Sequence, residues 1–391
     1  MKTICPEARR AENWWKLRDE KYGMLNVECE RCLLTSTIDP KIILLDGECQ
    51  HCRAFTVNAP RRISHSGLAA IVGLIKRRGS GHQYDCVVGV SGGVDSSYLL
   101  LMVHNLGLRA LAVHVDNGWN SNLAVSNIHK IIAHTNIDLY TEVLDLNAFN
   151  DLQKAFLMAS VPDLEIPTDH AIQASLWKNA KKFDAPTIIT GMNYATESSG
   201  NVNWSYGHSD WKYIRGVWKR FGHLDSENYP HYSLIDLVRM SAFTGIRSIS
   251  LLNYLEFSKQ QAEAALTREI GWEPYEGKHF ESLYTRWIQG YLLPLKFGID
   301  KRYIHLSDLI RSGQLSRASA KAELEKVPYS EDARRLDQKL IMKKLRLQDS
   351  DLEKVIELDT RSFRDLPNSY ATTLAFRKVL AVARHLKLYP R

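Results

Sequence analysis

Two glycines, an aspartate and three serines lie between two apolar runs in the stretch SGGVDSS, residues 91–97. Gly92 and Gly93 have no Cβ atom, so their backbone N–H groups can approach a ligand closely. Serine hydroxyls and the N-terminus of a following helix add donors suited to phosphate oxygens. Asp95 would repel a phosphate unless a divalent cation lay between them, as Mg²⁺ does in many sites. The stretch therefore predicts a site for a phosphate group and Mg²⁺.

The spacing of this stretch differs from two common phosphate-binding patterns. It is neither the Walker pattern G-x-x-x-x-G-K-[ST] nor the dinucleotide pattern G-x-G-x-x-G. The alternative is a plain strand-to-helix turn in which serine and aspartate only cap the helix. Seven consecutive residues of suitable type favour the phosphate site.

Four of the six cysteines form two C-x-x-C pairs, CERC at 29–32 and CQHC at 49–52, with 16 residues between the pairs. This spacing is typical of structural zinc sites. Four thiolates complete a tetrahedron around Zn²⁺ and leave no open position for catalysis. The predicted ligands are Cys29, Cys32, Cys49 and Cys52. An iron–sulfur cluster and a reactive dithiol are the alternatives.

Apolar runs alternate with helical patterns in the middle of the chain. The predicted strands are YDCVVGV (84–90), RALAVHVD (109–116), IDLYTEVL (137–144) and APTIITG (185–191), and the predicted helices are 96–107, 120–135 and 169–183, the last with Asp169 as its N-cap. This order predicts an α/β fold with a doubly wound parallel sheet. Ligands of such sheets bind at the carboxyl ends of the strands, which is where SGGVDSS lies.

SGGVDSS resembles the PP-loop of the ATP pyrophosphatases, the family of GMP synthetase, NAD synthetase and tRNA-modifying adenylating enzymes. The resemblance implies that ATP and Mg²⁺ are cofactors and that AMP is transferred to a substrate oxygen while pyrophosphate leaves. VHVDNGW (113–119) ends the strand where the family binds adenosine. GMNYATES (191–198) resembles the G-x5-E stretch of NAD synthetase, whose acidic residue binds Mg²⁺.

The resemblance assigns residues to two groups. The predicted nucleotide-binding residues are Ser91, Gly92, Gly93, Val94, Asp95, Ser96, Ser97, Val115, Asp116, Asn117 and Gly191, and the predicted Mg²⁺ ligands are Asp95 and Glu197. A capped turn is the alternative for Asp116 and for Glu197. The predicted domains are a zinc-ribbon element at 1–60, the PP-loop domain at 61–245 and a mostly helical region at 246–391.

Longer stretches resemble the N-acetyl sugar amidotransferases, which make acetamidino sugars for bacterial surface polysaccharides. They are CERCLLTSTIDP (29–40), PTDHAIQASLW (167–177) and LPLKFGIDKRYIHLSDLIRSGQLSR (293–317). The resemblance implies adenylation of an N-acetyl oxygen on a nucleotide-linked sugar, followed by displacement of AMP by ammonia. It also implies two partners, a glutaminase subunit and a cyclase-like barrel subunit.

The block KFGIDKR (296–302) lies inside the last of these stretches. The resemblance makes Lys296, Lys301 and Arg302 catalytic candidates beside Asp95. A basic surface loop is the alternative.

A tRNA thiolase or lysidine-type enzyme is the second functional hypothesis. Sulfur transfer needs a persulfide or a cluster near the PP-loop, but no cysteine follows Cys86, which lies in a predicted strand. A nonenzymatic adenine-nucleotide sensor is the third hypothesis, and Asp95 and Glu197 argue against it because a sensor needs no metal at the pyrophosphate.

Composition adds modest limits. The net charge of +7 over 391 residues is mild, so it does not by itself predict nucleic-acid binding. The sequence has no apolar run long enough to span a membrane and no signal-peptide core, so we expect a cytoplasmic protein. Trp204, Trp211 and Trp218 are seven residues apart, which favours a buried helix face over a sugar-stacking surface.

Overall fold

A five-stranded parallel sheet forms the centre of the computed structural model, which describes residues 27–58, 65–198, 204–224 and 228–374. Its strands are β3 (Cys86–Gly89), β4 (Ala110–Asp116), β5 (Asp138–Val143), β6 (Thr187–Thr190) and β7 (Arg247–Ser250), in the order β5-β4-β3-β6-β7. A short antiparallel hairpin precedes it, made of β1 (Leu44–Leu45) and β2 (Glu48–Cys49). The parallel pairing of all neighbours confirms the predicted doubly wound α/β fold.

Helices connect the strands and fill the C-terminal region. They are α1 (Gln50–Asn58), α2 (His65–Arg78), α3 (Val94–Asn105), α4 (Asn122–Thr135), α5 (Leu146–Ala159), α6 (Ile166–Lys182), α7 (Trp211–Phe221), α8 (Leu234–Phe243), α9 (Lys259–Ile270), α10 (Leu283–Trp287), α11 (Arg302–Arg311), α12 (Arg317–Glu325), α13 (Glu331–Leu345) and α14 (Asp349–Glu357). A π-helix, Ile288–Phe297, continues α10. Among the described residues, no helix combines the length and apolar character that crossing a bilayer requires.

The central strands are mostly apolar, and they are buried on both faces of the sheet. Val87 and Val88 are both fully buried, although successive side chains of a strand point to opposite faces. Val88 packs with helices α3 and α4 on one side. Val87 packs with Leu176 and Ala180 of α6 on the other. The continuous apolar runs that predicted these strands are thus explained by two-sided burial.

Two sequence predictions about element boundaries are wrong. The predicted domain boundary at 245 lies before β7, which pairs with β6 and so adds a fifth strand from the region predicted as helical. Its short, half-polar sequence RSIS lies at the sheet edge and carries little apolar signal. Helix α6 begins at Ile166, with Glu165 at the N-cap and proline in its first turn, so Asp169 is not the N-cap.

The N-terminal cysteine element packs against the C-terminal helices. The backbone N–H of Leu33 donates to the Ser307 hydroxyl of α11 over 3.1 Å. The guanidinium of Arg317, the first residue of α12, donates to the carbonyls of Cys32 at 3.2 Å and Cys29 at 3.3 Å. The two ends of the described chain therefore stabilise each other, although residues 1–26 of the predicted element lie outside the described part.

The four cysteines of the two pairs lie together and are fully buried. Their sulfur atoms lie within 4.8 Å of one another, with 3.8 Å between Cys29 and Cys52 and 3.7 Å between Cys32 and Cys49. Tetrahedral Zn–S bonds of about 2.3 Å place sulfurs about 3.8 Å apart. Donor type, burial and spacing therefore fit the predicted Zn²⁺, which would join the N-terminal loop, β2 and α1.

Aromatic rings around His170 form a second structural cluster. The His170 ring stacks on Tyr232 at a centroid distance of 4.4 Å and on Trp211 at 5.6 Å. Trp204 and Trp218 are buried, which confirms the core interpretation for these two tryptophans. Residues 201–203, which precede Trp204, lie outside the described part of the chain.

We expect zinc removal to destabilise the whole chain, because the cysteine cluster anchors α11 and α12. Purified protein should contain one equivalent of zinc, and Cys49→Ser should lose the metal and melt at a lower temperature. Cys86→Ala is the control, since Cys86 lies in β3 and its loss should leave the zinc content unchanged. Elemental analysis and thermal melts measure both effects. A zinc-free wild-type protein with an unchanged melting temperature would contradict the assignment.

We expect acid to destabilise the fold through His170. Its Nδ1–H donates to the His208 carbonyl at 2.6 Å and its Nε2 accepts from the Tyr232 N–H at 3.3 Å, so the buried ring is neutral. Burial lowers the pKa of His170 from 6.5 to about 4. The unfolded chain takes up a proton first, so about 3 kcal/mol of stability is lost as pH falls from 6.5 towards 4.

Thermal melts between pH 7.5 and pH 4 measure this loss. His170→Gln should melt lower at pH 7.5 and show a smaller decrease on acidification. His82→Gln, at a partly exposed histidine paired with Asp184, is the control and should keep the wild-type pH profile. Equal pH profiles for wild type and His170→Gln would show that another group dominates.

Candidate active site

The SGGVDSS loop joins the carboxyl end of β3 to helix α3, as predicted. Gly92 adopts a φ of +84°, and a Cβ atom there would lie 2.5 Å from the carbonyl oxygen of Ala124. Gly93 is the extended N-cap of α3, so the first N–H groups of the helix face this loop. Glycine at position 92 is therefore required both by conformation and by the close approach of α4.

Hydroxyl groups and a carbonyl fix the shape of the loop. The Ser91 and Ser96 hydroxyls lie 3.1 Å apart, and the Ser91 N–H donates to Ser96 Oγ at 3.2 Å. The Gly92 carbonyl accepts hydrogen bonds from Trp272 Nε1 at 3.0 Å and from the Tyr275 hydroxyl at 3.1 Å. The loop is thus rigid before any ligand binds, which is the condition for a preorganised phosphate site.

The Asp95 carboxylate carries the strongest sign of a missing partner. Its Oδ1 is buried and has no hydrogen-bond partner among the described residues. Burial raises the pKa of Asp95 to about 6, although Lys278 acts in the opposite direction. A desolvated carboxylate oxygen beside a phosphate loop fits a hard divalent cation, so this residue fits the predicted Mg²⁺.

Glu197 forms an ion pair in this structure. Its Oε1 lies 3.2 Å from Lys278 Nζ and 3.9 Å from His279 Nε2. The neighbouring Thr196 carbonyl accepts from the same Lys278 ammonium at 2.9 Å. Its assignment as an Mg²⁺ ligand stays a prediction, and the contacts add a second role, holding a lysine beside the loop.

Glu281 is a site residue that the sequence reasoning missed. Its Oε1 accepts from the Ser91 hydroxyl at 3.4 Å and lies 2.8 Å from where a Cβ of residue 93 would be. Gly93 is therefore required because a carboxylate packs against it. Nothing local in the sequence KHFE, residues 278–281, indicates that it returns to a loop almost two hundred residues earlier.

The turn after β4 contains the predicted adenosine-binding residues. Asp116 Oδ1 accepts from the Gly118 N–H at 2.9 Å, and Asn117 Oδ1 accepts from the Trp119 N–H at 3.0 Å. Val115 is buried at the end of the strand. These contacts are those of a capped turn, so nucleotide binding by the three residues stays a prediction.

The remaining predicted nucleotide residues lie in or against the loop. A Cβ at Gly191 would lie 3.5 Å from the Ser96 N–H, which brings the end of β6 into contact with SGGVDSS. Val94 begins α3, and Ser97 is fully buried with an Oγ that has no hydrogen-bond partner among the described residues. The ends of β3 and β6 thus form one edge around the loop.

A group of charged residues lies between the loop and the KFGIDKR block. Lys301 pairs with Glu165, whose carboxylate also accepts from Gln289 at 3.0 Å. The surrounding protein raises the pKa of Asp169 by desolvation. The pKa of His305 is lowered well below its usual value by burial and by nearby cations, among them Lys278 and Lys301. Lys301 therefore faces the same charged region as Lys278.

Lys296 and Arg302 lie in structural contacts instead. Lys296 Nζ donates to the carbonyl of Leu358 at 2.6 Å, at the end of α14, where a cation is favourable. Arg302 forms an ion pair with Asp300 and donates to the Lys326 carbonyl at 2.6 Å after α12. These contacts place both charges at helix ends, and the catalytic roles of Lys296, Lys301 and Arg302 stay predictions.

Comparison with protein families gives two matches. Residues 85–197 match the family described as queuosine biosynthesis protein QueC, and residues 281–379 match the LPS biosynthesis protein WbpG-like, C-terminal domain. The first match runs from β3 through the PP-loop to Glu197. The second begins at Glu281, the carboxylate that packs on the loop.

The individual proteins that resemble this chain share little sequence identity with it. The uncharacterized protein MJ1599 of Methanocaldococcus jannaschii is 24% identical over 305 residues, which cover 77% of this chain and 94% of that protein. NMN synthetase from Francisella tularensis has a TM-score of 0.27 and 13% identity, covering 56% of this chain and 88% of that chain. A predicted subunit of tRNA methyltransferase from M. jannaschii has a TM-score of 0.28 and 12% identity, and the match covers 46% of this chain and 75% of that chain.

The sequence motif, the strand order and the two family matches agree. A PP-loop lies at the carboxyl end of the central strand, and the C-terminal match adds a domain named for lipopolysaccharide biosynthesis. Residues 85–197 thus match a PP-loop ATP pyrophosphatase family and residues 281–379 match a WbpG-like C-terminal domain, and the two matches together fit an N-acetyl sugar amidotransferase of the PP-loop superfamily.

Proposed function

We propose that this protein is an ATP-dependent amidotransferase that converts the N-acetyl group of a nucleotide-linked sugar into an acetamidino group. The PP-loop family match supports an ATP-dependent enzyme, and the WbpG-like domain supports sugar modification in lipopolysaccharide synthesis. The observation that carries the proposal is the buried, unpartnered Asp95 oxygen in a rigid glycine loop. Together they point to magnesium-dependent use of ATP in a sugar-modifying protein.

The reaction needs ATP because an amide carbon is a poor electrophile. The acetamido oxygen attacks the α-phosphorus of ATP, the bond to the β-phosphate breaks, and pyrophosphate leaves. The loop N–H groups hold the departing phosphates, and Asp95 would hold a Mg²⁺ ion that would neutralise charge on them. Ammonia then attacks the activated carbon, AMP leaves with the former carbonyl oxygen, and loss of a proton gives the acetamidine.

The nitrogen donor must reach the site as ammonia, because ammonium has no free electron pair. No cysteine follows Cys86 in the sequence, and Cys86 itself is fully buried in β3, where burial raises the pKa of its thiol. The chain thus offers no reactive thiol for a glutaminase step within this region. We propose that a glutaminase subunit and a cyclase-like barrel subunit deliver ammonia to the active site at the PP-loop.

The same cysteine evidence bears on the tRNA thiolase hypothesis. Sulfur transfer needs an accessible thiolate or a cluster near the PP-loop. Among the described residues, the other cysteines lie together in the buried four-cysteine cluster. Copurification of tRNA and its ATP-dependent modification would favour this second hypothesis over the sugar reaction.

Incubation with ATP, candidate UDP- or CMP-linked N-acetyl sugars and ammonium at alkaline pH should release AMP and pyrophosphate in equal amounts. Asp95→Asn should lower this rate on the order of 100-fold, because the variant loses the negative charge that would hold Mg²⁺ at the departing phosphates. Asp184→Asn, at an exposed carboxylate, is the matched control. Chromatography of nucleotides and mass spectrometry of sugars measure both products. ADP in place of AMP would contradict the mechanism.

Gly92→Ala should abolish measurable ATP binding, because its Cβ would meet the Ala124 carbonyl. Gly81→Ala separates this clash from conformational strain: Gly81 has a similar φ of +86°, but a Cβ there meets nothing within 4 Å. Both changes place alanine in the left-handed region, at a cost of roughly 1 to 2 kcal/mol. Calorimetric titration with ATP, alongside thermal melts, measures the difference. Equal ATP affinity in the two variants would contradict the role of the loop.

A further inference from the structure

Lys278 holds a position that the family motifs do not assign. It lies in the 278–281 segment, between α9 and α10, outside both family matches. Its ammonium lies 3.2 Å from Glu197 Oε1 and 2.9 Å from the Thr196 carbonyl oxygen. It is also the cation with the largest lowering effect on the pKa of Asp95. The ammonium therefore contacts the loop after β6 and acts electrostatically on Asp95 of the PP-loop.

The charge around the PP-loop needs such a cation. Asp95 lies within the loop, and Glu281 packs against Ser91 and Gly93. Two carboxylates and the triphosphate of ATP together carry more negative charge than one magnesium ion can neutralise. A lysine side chain that is largely shielded from water exerts a stronger field than an exposed one, and Lys278 is 18% exposed.

The ammonium has the donors for this task. A lysine has three N–H donors, and the Glu197 carboxylate and the Thr196 carbonyl use two of them. Because both acceptors come from the loop after β6, they restrict where the ammonium can point. This arrangement differs from a surface ion pair, whose two long side chains are free to separate.

We propose that Lys278 binds the phosphate oxygens of ATP that leave as pyrophosphate, and that Glu197 and the Thr196 carbonyl position its ammonium for this contact. The inference rests on the proposed use of ATP at the PP-loop, and it does not depend on which sugar is the acceptor. It gives Glu197 the role of a positioning residue. The cation at the PP-loop is then held by Asp95 and the phosphates.

Binding of three ligands tests the proposal: ATP, pyrophosphate and AMP, each with Mg²⁺ and without sugar. Lys278→Gln should lower the affinity for ATP and for pyrophosphate at least 10-fold, which is the effect of losing one charge-assisted hydrogen bond. The affinity for AMP should change less than twofold. Lys278→Arg should recover part of the affinity. Equal weakening for ATP and AMP, or no weakening, would overturn the proposal.

Lys178→Gln is the control. Lys178 also pairs with a glutamate, Glu142 at 2.6 Å, and neither residue contacts the residues that hold the loop. Its loss removes an ion pair elsewhere and should leave all three affinities unchanged. Thermal melts of each variant exclude unfolding as the cause of a lost affinity.

Glu197→Gln tests the positioning role separately. The variant should lower the affinity for ATP and pyrophosphate as Lys278→Gln does. The Mg²⁺ concentration that gives half-maximal ATP binding should stay unchanged. Asp95→Asn should raise that Mg²⁺ concentration. If Glu197→Gln also raised this Mg²⁺ concentration strongly, Glu197 would be a metal ligand and its assignment as a positioning residue would be overturned. Because these titrations contain no sugar, they can succeed even if the amidotransferase reaction is wrong.

Discussion

The desolvated carboxylate of Asp95 is the constraint on which the site depends. Burying a carboxylate costs free energy unless a cation or hydrogen bonds compensate it, and its Oδ1 has neither bond nor ion pair among the described residues. The rigid loop around it cannot move the carboxylate into water, because Gly92 is held by Trp272 and Tyr275. A bound cation would compensate the buried charge, and this is what a magnesium-dependent phosphate site provides.

The C-terminal region completes this edge of the sheet. Glu281 reaches the loop, its carbonyl accepts from the Ser121 N–H at 2.9 Å, and the Leu283 N–H donates to the Trp119 carbonyl at 2.9 Å. Lys344 of α13 bonds to the Gly118 carbonyl and lies over the Trp119 ring. The WbpG-like part therefore touches both the PP-loop and the turn after β4, and a nucleotide bound there would contact two regions of the chain.

Short-range patterns could be predicted from the sequence because their physics is local. A glycine pair after an apolar run, and cysteines at fixed spacing, specify a loop and a metal cluster without knowledge of distant residues. Strand β7 was not predicted because an edge strand needs little apolar sequence. The positions of Lys278 and Glu281 at the site were not predicted because their partners lie far along the chain, and a charged residue does not by itself identify its partner. Lys296 and Arg302 were selected from a resembling block, and the sequence did not indicate that their side chains contact helix ends.

The most direct test of the central claim is a crystal structure with Mn²⁺ and α,β-methylene ATP, an analogue that cannot release pyrophosphate. We expect an anomalous Mn²⁺ peak at Asp95 and the β- and γ-phosphates within hydrogen-bond distance of the N–H groups of residues 92–97. A nucleotide anchored elsewhere, with no phosphate in the SGGVDSS loop, would contradict it.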